Sequence, residues 1–263
     1  MSYENEENFK ETAGHIIDGI WYPRVTKILD IKAKPALYRF YGEAASYDAA
    51  KTVAQKSAEE GTKIHEVIES LLMDENPEIT PEVKPAVTAF LKFLKDNNLK
   101  IITSRENVER PIVNYKERYA GTADALVKIG NKFGILDIKT SAGIYREYDL
   151  QTSAYLGALK DEFESLETRW ILRIDQARVC LKCGSILRTK GGRDKIYLKP
   201  GTKNCQHEWS EIKGIVELSE RPNWEKDYEA FLAAKKLWEW ENEPILKKIG
   251  YLKKDSSIFD FDF

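Results

Sequence analysis

Apolar residues recur along this chain with two periods, and the switches between them predict a mixed α/β fold. In GTKIHEVIESLLMD (Gly61 to Asp74), Ile64, Val67, Ile68, Leu71 and Leu72 fall on one arc at 100° per residue, an amphipathic helix. Pro81 to Asp96 predicts a further helix with Val83, Val87, Phe90, Leu91 and Leu94 inward. Residues 36–60 read as helical and alanine-rich, with Tyr38, Phe40 and Tyr41 as apolar bulk. Leu99 to Asn114 alternates at period 2 and leads into YAGTADALVKIGNKFGILDIKTS, from Tyr119 to Ser141. Two β-prone runs flank Gly130-Asn131 there, a two-residue hairpin turn. With that loop, Ile129 faces Lys132, Leu126 faces Ile135, and Asp124 faces Asp137, with Lys139 on the same sheet face as Asp137.

Beyond the hairpin, Asp149 to Phe163 predicts a helix and Arg169 to Asp175 a strand. An insertion of different character spans about Ala177 to Ser210. Ile212 to Glu220 returns to a strand that Pro222 ends, and Trp224, Tyr228, Phe231, Leu232 and Trp238 mark a long helix with an aromatic core stripe. At the other end, the first twenty residues read as a flexible or edge segment. In WYPRVTKIL, Pro23 predicts an extended entry and Thr26 a cap for a short helix. Helix, strands, helix, strand in that order predicts a mixed sheet with helices on its faces.

Composition narrows the class. At 263 residues, with 42% hydrophobic content, the chain can bury a sizeable core. Charged residues at 32% and no apolar run near the ~20 residues of a membrane span predict a soluble, cytoplasmic protein, or one of the host cytoplasm if phage-encoded. The opening MSYENEENFKET is acidic, unlike a secretory or mitochondrial presequence. Net charge is −2, so any basic surface for nucleic acid must be local.

The candidate chemistry starts from the hairpin. Like charges directly opposite on a sheet destabilise it by roughly 0.2–1 kcal/mol. Two carboxylates there, with Lys139 one step along, imply a cation to hold. His65 lies at the edge of the helical arc, with Glu69 one turn on; alone it reads as a boundary histidine. Gln151 and Tyr155 are i, i+4 neighbours on the following helix. His65, Asp124, Asp137, Lys139, Gln151 and Tyr155 form one candidate constellation. Carboxylate and imidazole ligands suit Mg²⁺ or Mn²⁺, the histidine favouring Mn²⁺. A metal with an adjacent lysine points to phosphodiester hydrolysis.

The insertion carries a second candidate centre. Cys180 and Cys183 form a CxxC, and Cys205 with His207 completes a Cys3His set for structural Zn²⁺, close to a zinc-ribbon spacing. Between the halves runs a hairpin turning at Gly191-Gly192, with Arg188, Lys190, Arg193, Lys195, Lys199 and Lys203 against the single acid Asp194. It reads either as a solvated charged hairpin or as a DNA contact, with Arg188, Lys190, Arg193 and Lys195 as candidates. The end, DSSIFDFDF, is an acidic-aromatic tail, a frayed terminus or a dock for a partner's basic groove.

Read in order, H…GTAD…LDIKTS…QTSAY resembles the RecB-like branch of the PD-(D/E)XK nuclease superfamily, with Asp137 in the D/E position. PRVTKIL upstream and QTSAYLGAL downstream make the chain similar to mitochondrial genome-maintenance exonucleases and their phage and bacterial relatives. The likeness covers about Tyr22 to Leu159. It implies a restriction-endonuclease-like central sheet flanked by helices, made of residues 1–176 and 211–263, with residues 177–210 as an inserted zinc-ribbon-like arm. It also implies that His65, Asp124, Asp137 and the Ile138 carbonyl bind the catalytic metal, that Lys139 is the catalytic lysine, and that Gln151 and Tyr155 position DNA or that lysine. The implied activity is DNA exonuclease cleavage, of single strands or from single-stranded ends, in replication, recombination or repair. Three cysteines, all after the core, depart from the iron–sulfur branch, which uses four. Other readings are a structure-selective endonuclease, an end-trimming nuclease of CRISPR-adaptation type, or a non-catalytic DNA-binding module.

Overall fold

A computed structural model describes residues 5–253, so the acidic-aromatic tail lies outside the described residues. The chain enters through a unit that departs from the expected loose segment. Helix α1 (Glu6–Ala13) is capped by Asn5, whose side chain accepts from the Asn8 N–H at 2.8 Å, and strands β1 (Gly14–Ile17) and β2 (Ile20–Pro23) form an antiparallel hairpin. Phe9 and Ala13 are fully buried. Two apolar positions in a highly charged stretch are enough to dock this helix, and too few to show a period. Helix α2 (Val25–Ile28) follows; its cap position is Arg24, which makes no side-chain capping bond, so Thr26 is not the cap.

Helix α3 (Pro35–Glu43) has no buried residue, and Tyr38 stays 62% exposed. The expected apolar bulk is therefore a surface feature. Helix α4 (Tyr47–Leu72) is one continuous helix, started by Ser46, whose hydroxyl accepts from the Ala49 N–H. Its buried arc contains Ile64, Val67, Ile68 and Leu72. In α5 (Lys84–Asp96), Val87 and Phe90 face inward, but Leu91 is 45% exposed, because the core-facing stripe is narrower than expected.

Strands β3 (Ile101–Ile102) and β4 (Val108–Asn114) both pair antiparallel with β5 (Tyr119–Ile129), which forms the predicted hairpin with β6 (Lys132–Lys139). Helix α6 (Arg146–Leu159) crosses to β7 (Leu166–Val179), which lies parallel to β6. Strands β8 (Ile186–Lys190) and β9 (Arg193–Tyr197) form the second hairpin and continue from the far end of β7. Strand β10 (Lys213–Glu220) pairs antiparallel with β7, and helices α7 (Glu225–Glu241) and α8 (Glu243–Lys248) close the described chain. The result is a mixed central sheet flanked by helices. Among the described residues, no helix is long and apolar enough to cross a membrane.

Two cores occupy the two faces. Leu126 and Ile135 pack with Tyr155, Phe231 and Trp238 on the α6–α7 side, while Val127, Leu136 and Ile138 pack with Ile64, Ile68 and Phe90 on the α4–α5 side. The aromatic stripe of α7 is core, as its spacing implies. Arg169, 1% exposed, fixes the first side: it donates to the carbonyls of Asp149, Arg221 and Asn223 and to the Asp227 carboxylate. This network ties α6, and hence Gln151 and Tyr155, to β7.

Candidate active site

The β5–β6 register agrees with the turn chemistry from Ile129↔Lys132 to Ala125↔Leu136, then stops one step short of Asp124. Asp124 and Asp137 are therefore not a laddered pair, which corrects the expected opposition. Side-chain alternation breaks at the same point. Ala123 and Ala125 would share a face in a regular strand, yet Ala123 packs in the α6–α7 core and Ala125 in the α4–α5 core. Where the ladder ends, the Asp124 carboxylate takes over its role: Oδ2 accepts the Ile138 N–H at 2.6 Å.

Three elements meet at this break. Helix α4 brings His65, whose Nε2 lies 3.1 Å from Asp124 Oδ2 and whose Nδ1 lies 2.8 Å from Glu69 Oε1. The end of β6 brings Asp137 and Lys139; Lys139 Nζ donates to Asp137 Oδ1 at 2.7 Å. Asp137 is fully buried, and its Oδ2 has no hydrogen-bond partner among the described residues. Helix α6 brings Tyr155, whose hydroxyl accepts from Gln151 Nε2 at 2.8 Å. Burial raises the Tyr155 pKa, and the charge of nearby Asp137 adds to the rise.

Close packing holds the helix to the strand end. A Cβ on Gly61 would lie 2.5 Å from Thr140 Oγ1, so a side chain here would force the Thr140 hydroxyl or the helix to shift. His65, Glu69, Glu109, Ile138, Lys139 and Thr140 then line a cavity of about 600 Å³. Glu109 belongs to β4, with φ at +49°. Ligand atoms of His65, Glu69 and Glu109 lie within 4.8 Å of one another. Sequence reasoning missed Glu109 and placed Glu69 only as a neighbour. The i, i+4 spacing from His65 was the available signal for Glu69, whereas Glu109 arrives through β4–β5 pairing that no local pattern marks.

The charges are strongly interdependent. Burial alone would lower the His65 pKa, but hydrogen bonds to Asp124 and Glu69 raise it to about 10. Asp124 is held below the usual carboxylate range: burial opposes this, and His65, Lys139 and the Ile138 N–H overcome it. Asp137 moves the other way, to about 6, because burial and the Asp124 charge outweigh Lys139. Burial would lower Lys139, yet the two carboxylates hold its pKa above the ordinary lysine value. One ammonium cannot fully compensate both acids. Glu109 rises to about 7 through burial and its contact with Glu69.

The structure also brings the insertion's candidate residues together. Ligand atoms of Cys180, Cys183, Cys205 and His207 lie within 4.8 Å of one another, with Cys183 Sγ 3.4 Å from His207 Nδ1. The β8–β9 hairpin beyond them folds back over α4. Arg188 donates to Asp175 and to the Thr140 carbonyl, Lys190 donates to that same carbonyl, and Arg193 pairs with Glu43 at 2.8 Å. Lys195 lies at the ring of Tyr197. All four cations line a second cavity, of about 500 Å³, that meets the first at Lys139 and Thr140.

No family model and no curated protein matches this chain. Among solved structures, the crystal structure of LHK-Exo in complex with dAMP is similar over 88% of this chain and 94% of that one, at 12% identity and a TM-score of 0.33. A likeness at that level assigns no residue a role, and the site is read from its own geometry.

Proposed function

We propose that this chain is a divalent-metal-dependent deoxyribonuclease that hydrolyses phosphodiester bonds of single-stranded DNA from an end. The observation that carries this reading is the fully buried Asp137 with an unpartnered Oδ2, set beside Lys139 and Asp124 at a break in the sheet. A buried carboxylate oxygen without a partner costs about 1–3 kcal/mol or more, which a fold keeps where a ligand repays it. Hard oxygen donors with one imidazole fit Mg²⁺ or Mn²⁺, held by Asp124, Asp137 and His65, with the Ile138 carbonyl as a backbone donor. Such an ion, when bound, polarises a phosphoryl oxygen and lowers the pKa of a coordinated water.

The chain's own groups divide the remaining work. Lys139, kept protonated by its two carboxylates, offsets charge developing on the phosphoryl oxygens. Asp137 orients that ammonium through the 2.7 Å bond. Gln151 holds the Tyr155 hydroxyl through their 2.8 Å bond, and Glu69 steadies His65 from 2.8 Å on its Nδ1 side. The Cys3His set is proposed to hold one structural Zn²⁺: three thiols and an imidazole with mutually close donor atoms suit tetrahedral zinc.

Digestion of linear and circular single-stranded DNA, end-labelled in both polarities, with Mg²⁺ or Mn²⁺, tests the reading. Cleavage of linear strands alone is the expected result, lost in Asp137→Ala and Lys139→Ala. Cutting of circles would replace it with an endonuclease, and binding without cleavage would leave a DNA-binding module.

A further inference from the structure

The cavity beside Lys139 has a construction of its own. One wall is helix α4, where Val53, Ala54, Ser57 and Ala58 present small side chains. The opposite wall is the β8–β9 hairpin, whose tip is clamped to α4. Gly191 donates its N–H to both carboxylate oxygens of Glu60 at 3.1 Å. At φ +62° Gly191 also lies so close to α4 that a Cβ would stand 2.3 Å from Ser57 Oγ and Val53 O. A side chain at this position would pry the wall away.

Two kinds of group face the space. The first is aromatic: Phe40 from α3, Tyr145 and Tyr148 from the start of α6, and Tyr197 from β9. The second is cationic and only partly neutralised. Arg188 is paired with Asp175, and Arg193 with Glu43. Among the described residues, neither Lys190 nor Lys195 has a carboxylate within ion-pair distance. Lys190 meets only the Thr140 carbonyl, and burial, followed by the Arg188 charge, lowers its pKa to about 8. A half-buried lysine that no carboxylate touches, with Asp175 and Glu60 acting on it only at longer range, is left able to take an anion. Flat apolar surfaces and unneutralised cations together are how proteins take hold of unpaired nucleotides, through stacking and phosphate contact.

We propose that this pocket is a subsite for one unpaired nucleotide adjoining the scissile phosphate, its base among Phe40, Tyr145 and Tyr197 and its phosphate on Lys190 and Lys195. The adjacency to a scissile bond rests on the nuclease reading; the ligand class, a nucleoside phosphate, follows from the pocket's own lining. About 500 Å³ is the size of a small-molecule site, enough for a nucleotide and too small for a duplex. Strand selection therefore happens here, on the inserted hairpin, while the bond-breaking groups lie on α4, β5 and β6.

The test is equilibrium binding of a fluorescent ten-nucleotide oligo(dT) and of a blunt duplex of equal length to the full zinc-loaded chain with no Mg²⁺ or Mn²⁺ added. Lys190→Met, Lys195→Glu and Tyr197→Ala are compared with the parent. Lys195 is exposed and Tyr197 is 40% exposed, so these two variants keep the fold even if Lys190→Met loosens the hairpin. Each variant should bind oligo(dT) at least tenfold more weakly, with duplex affinity unchanged. Lys195→Glu should also lower the slope of log affinity against log salt by about 0.7. Equal oligo(dT) affinity in Lys195→Glu, Tyr197→Ala and the parent would overturn the pocket. A parent that binds oligo(dT) through these residues but cleaves no DNA with Mg²⁺ or Mn²⁺ would overturn the nuclease reading and leave the nucleotide pocket standing.

Discussion

Asp137→Asn should make the metal-free protein more stable at neutral pH, and less so as the pH falls. The folded pKa of Asp137 is raised to about 6, against an ordinary 3.8, chiefly by burial. An acid with a raised folded pKa binds more protons in the native state than in the unfolded one between those values. Its ionised form therefore destabilises the fold, with no penalty below pH 3.8, a growing one up to about 6, and a constant one above. A rise from 3.8 to about 6 amounts to about 3 kcal/mol at pH 7. Asparagine keeps an oxygen for Lys139 and carries no charge, so most of that penalty should vanish. Because the Lys139 contact changes little over this range, the pH dependence of the difference isolates the buried charge.

Urea unfolding of both proteins with no Mg²⁺ or Mn²⁺ added, followed by circular dichroism from pH 4 to pH 8, reads the effect. The stability difference should shift in favour of Asp137→Asn by roughly 3 kcal/mol between pH 4 and pH 7, then level off. Mn²⁺ should reverse the order at pH 7 once it reaches about 1,000 times its Kd, where it adds about 4.1 kcal/mol to the protein that binds it. A difference that stays flat with pH would refute the account of Asp137 as a buried, undercompensated carboxylate. A parent protein that Mn²⁺ fails to stabilise would refute the claim that a metal is what its unpartnered oxygen awaits.

Other outcomes follow from single contacts. Gly61→Ala places a Cβ 2.5 Å from Thr140 Oγ1 and should lower the cleavage rate by about 100-fold, the scale for a displacement of ~1 Å, while far-ultraviolet circular dichroism stays unchanged. Cys180→Ser combined with Cys183→Ser should remove roughly one zinc per chain by elemental analysis, and limited proteolysis should then cut within residues 180–210; iron in the parent would overturn the Cys3His assignment. Oligo(dT) affinity should weaken as pH rises through about 8, where Lys190 loses its charge among Arg188, Asp175 and Glu60, and Lys190→Arg should abolish that dependence.

What could be read in advance divides by the range of the interaction. The β5–β6 register was legible because Gly130 adopts φ +62° in a two-residue turn, which fixes every pair up to Ala125↔Leu136. The arc of α4 was legible because Ile64, Val67 and Ile68 repeat at helical spacing over a long helix. α1 was not: it rests on Phe9 and Ala13, and Phe9 is buried by Trp21 and Trp238, the second more than two hundred residues away. The exposure of Leu91 and of the α3 tyrosines had the same cause. An amphipathic period says which residues share a face, while the width of the buried stripe depends on what packs against it.

The site shows the same limit at closer range. His65, Asp124, Asp137 and Lys139 stand in readable positions, yet the opposition of Asp124 and Asp137 does not survive folding. A carboxylate that accepts a backbone N–H at 2.6 Å replaces a ladder bond, and a strand can stop pairing there at little cost. A regular period-2 register has no means of showing that exchange, because it assumes the backbone bonds go to the backbone. Glu109 escaped for a related reason: it lies on the neighbouring strand in a left-handed conformation, next to the position where the pleat is broken. The irregularity frees Asp124 to face His65 on α4 while Asp137, one strand over, faces α6 and Lys139. A perfect hairpin would have set the two carboxylates against each other; the break gives Asp124 the Ile138 N–H and His65 as partners and leaves Asp137 to Lys139.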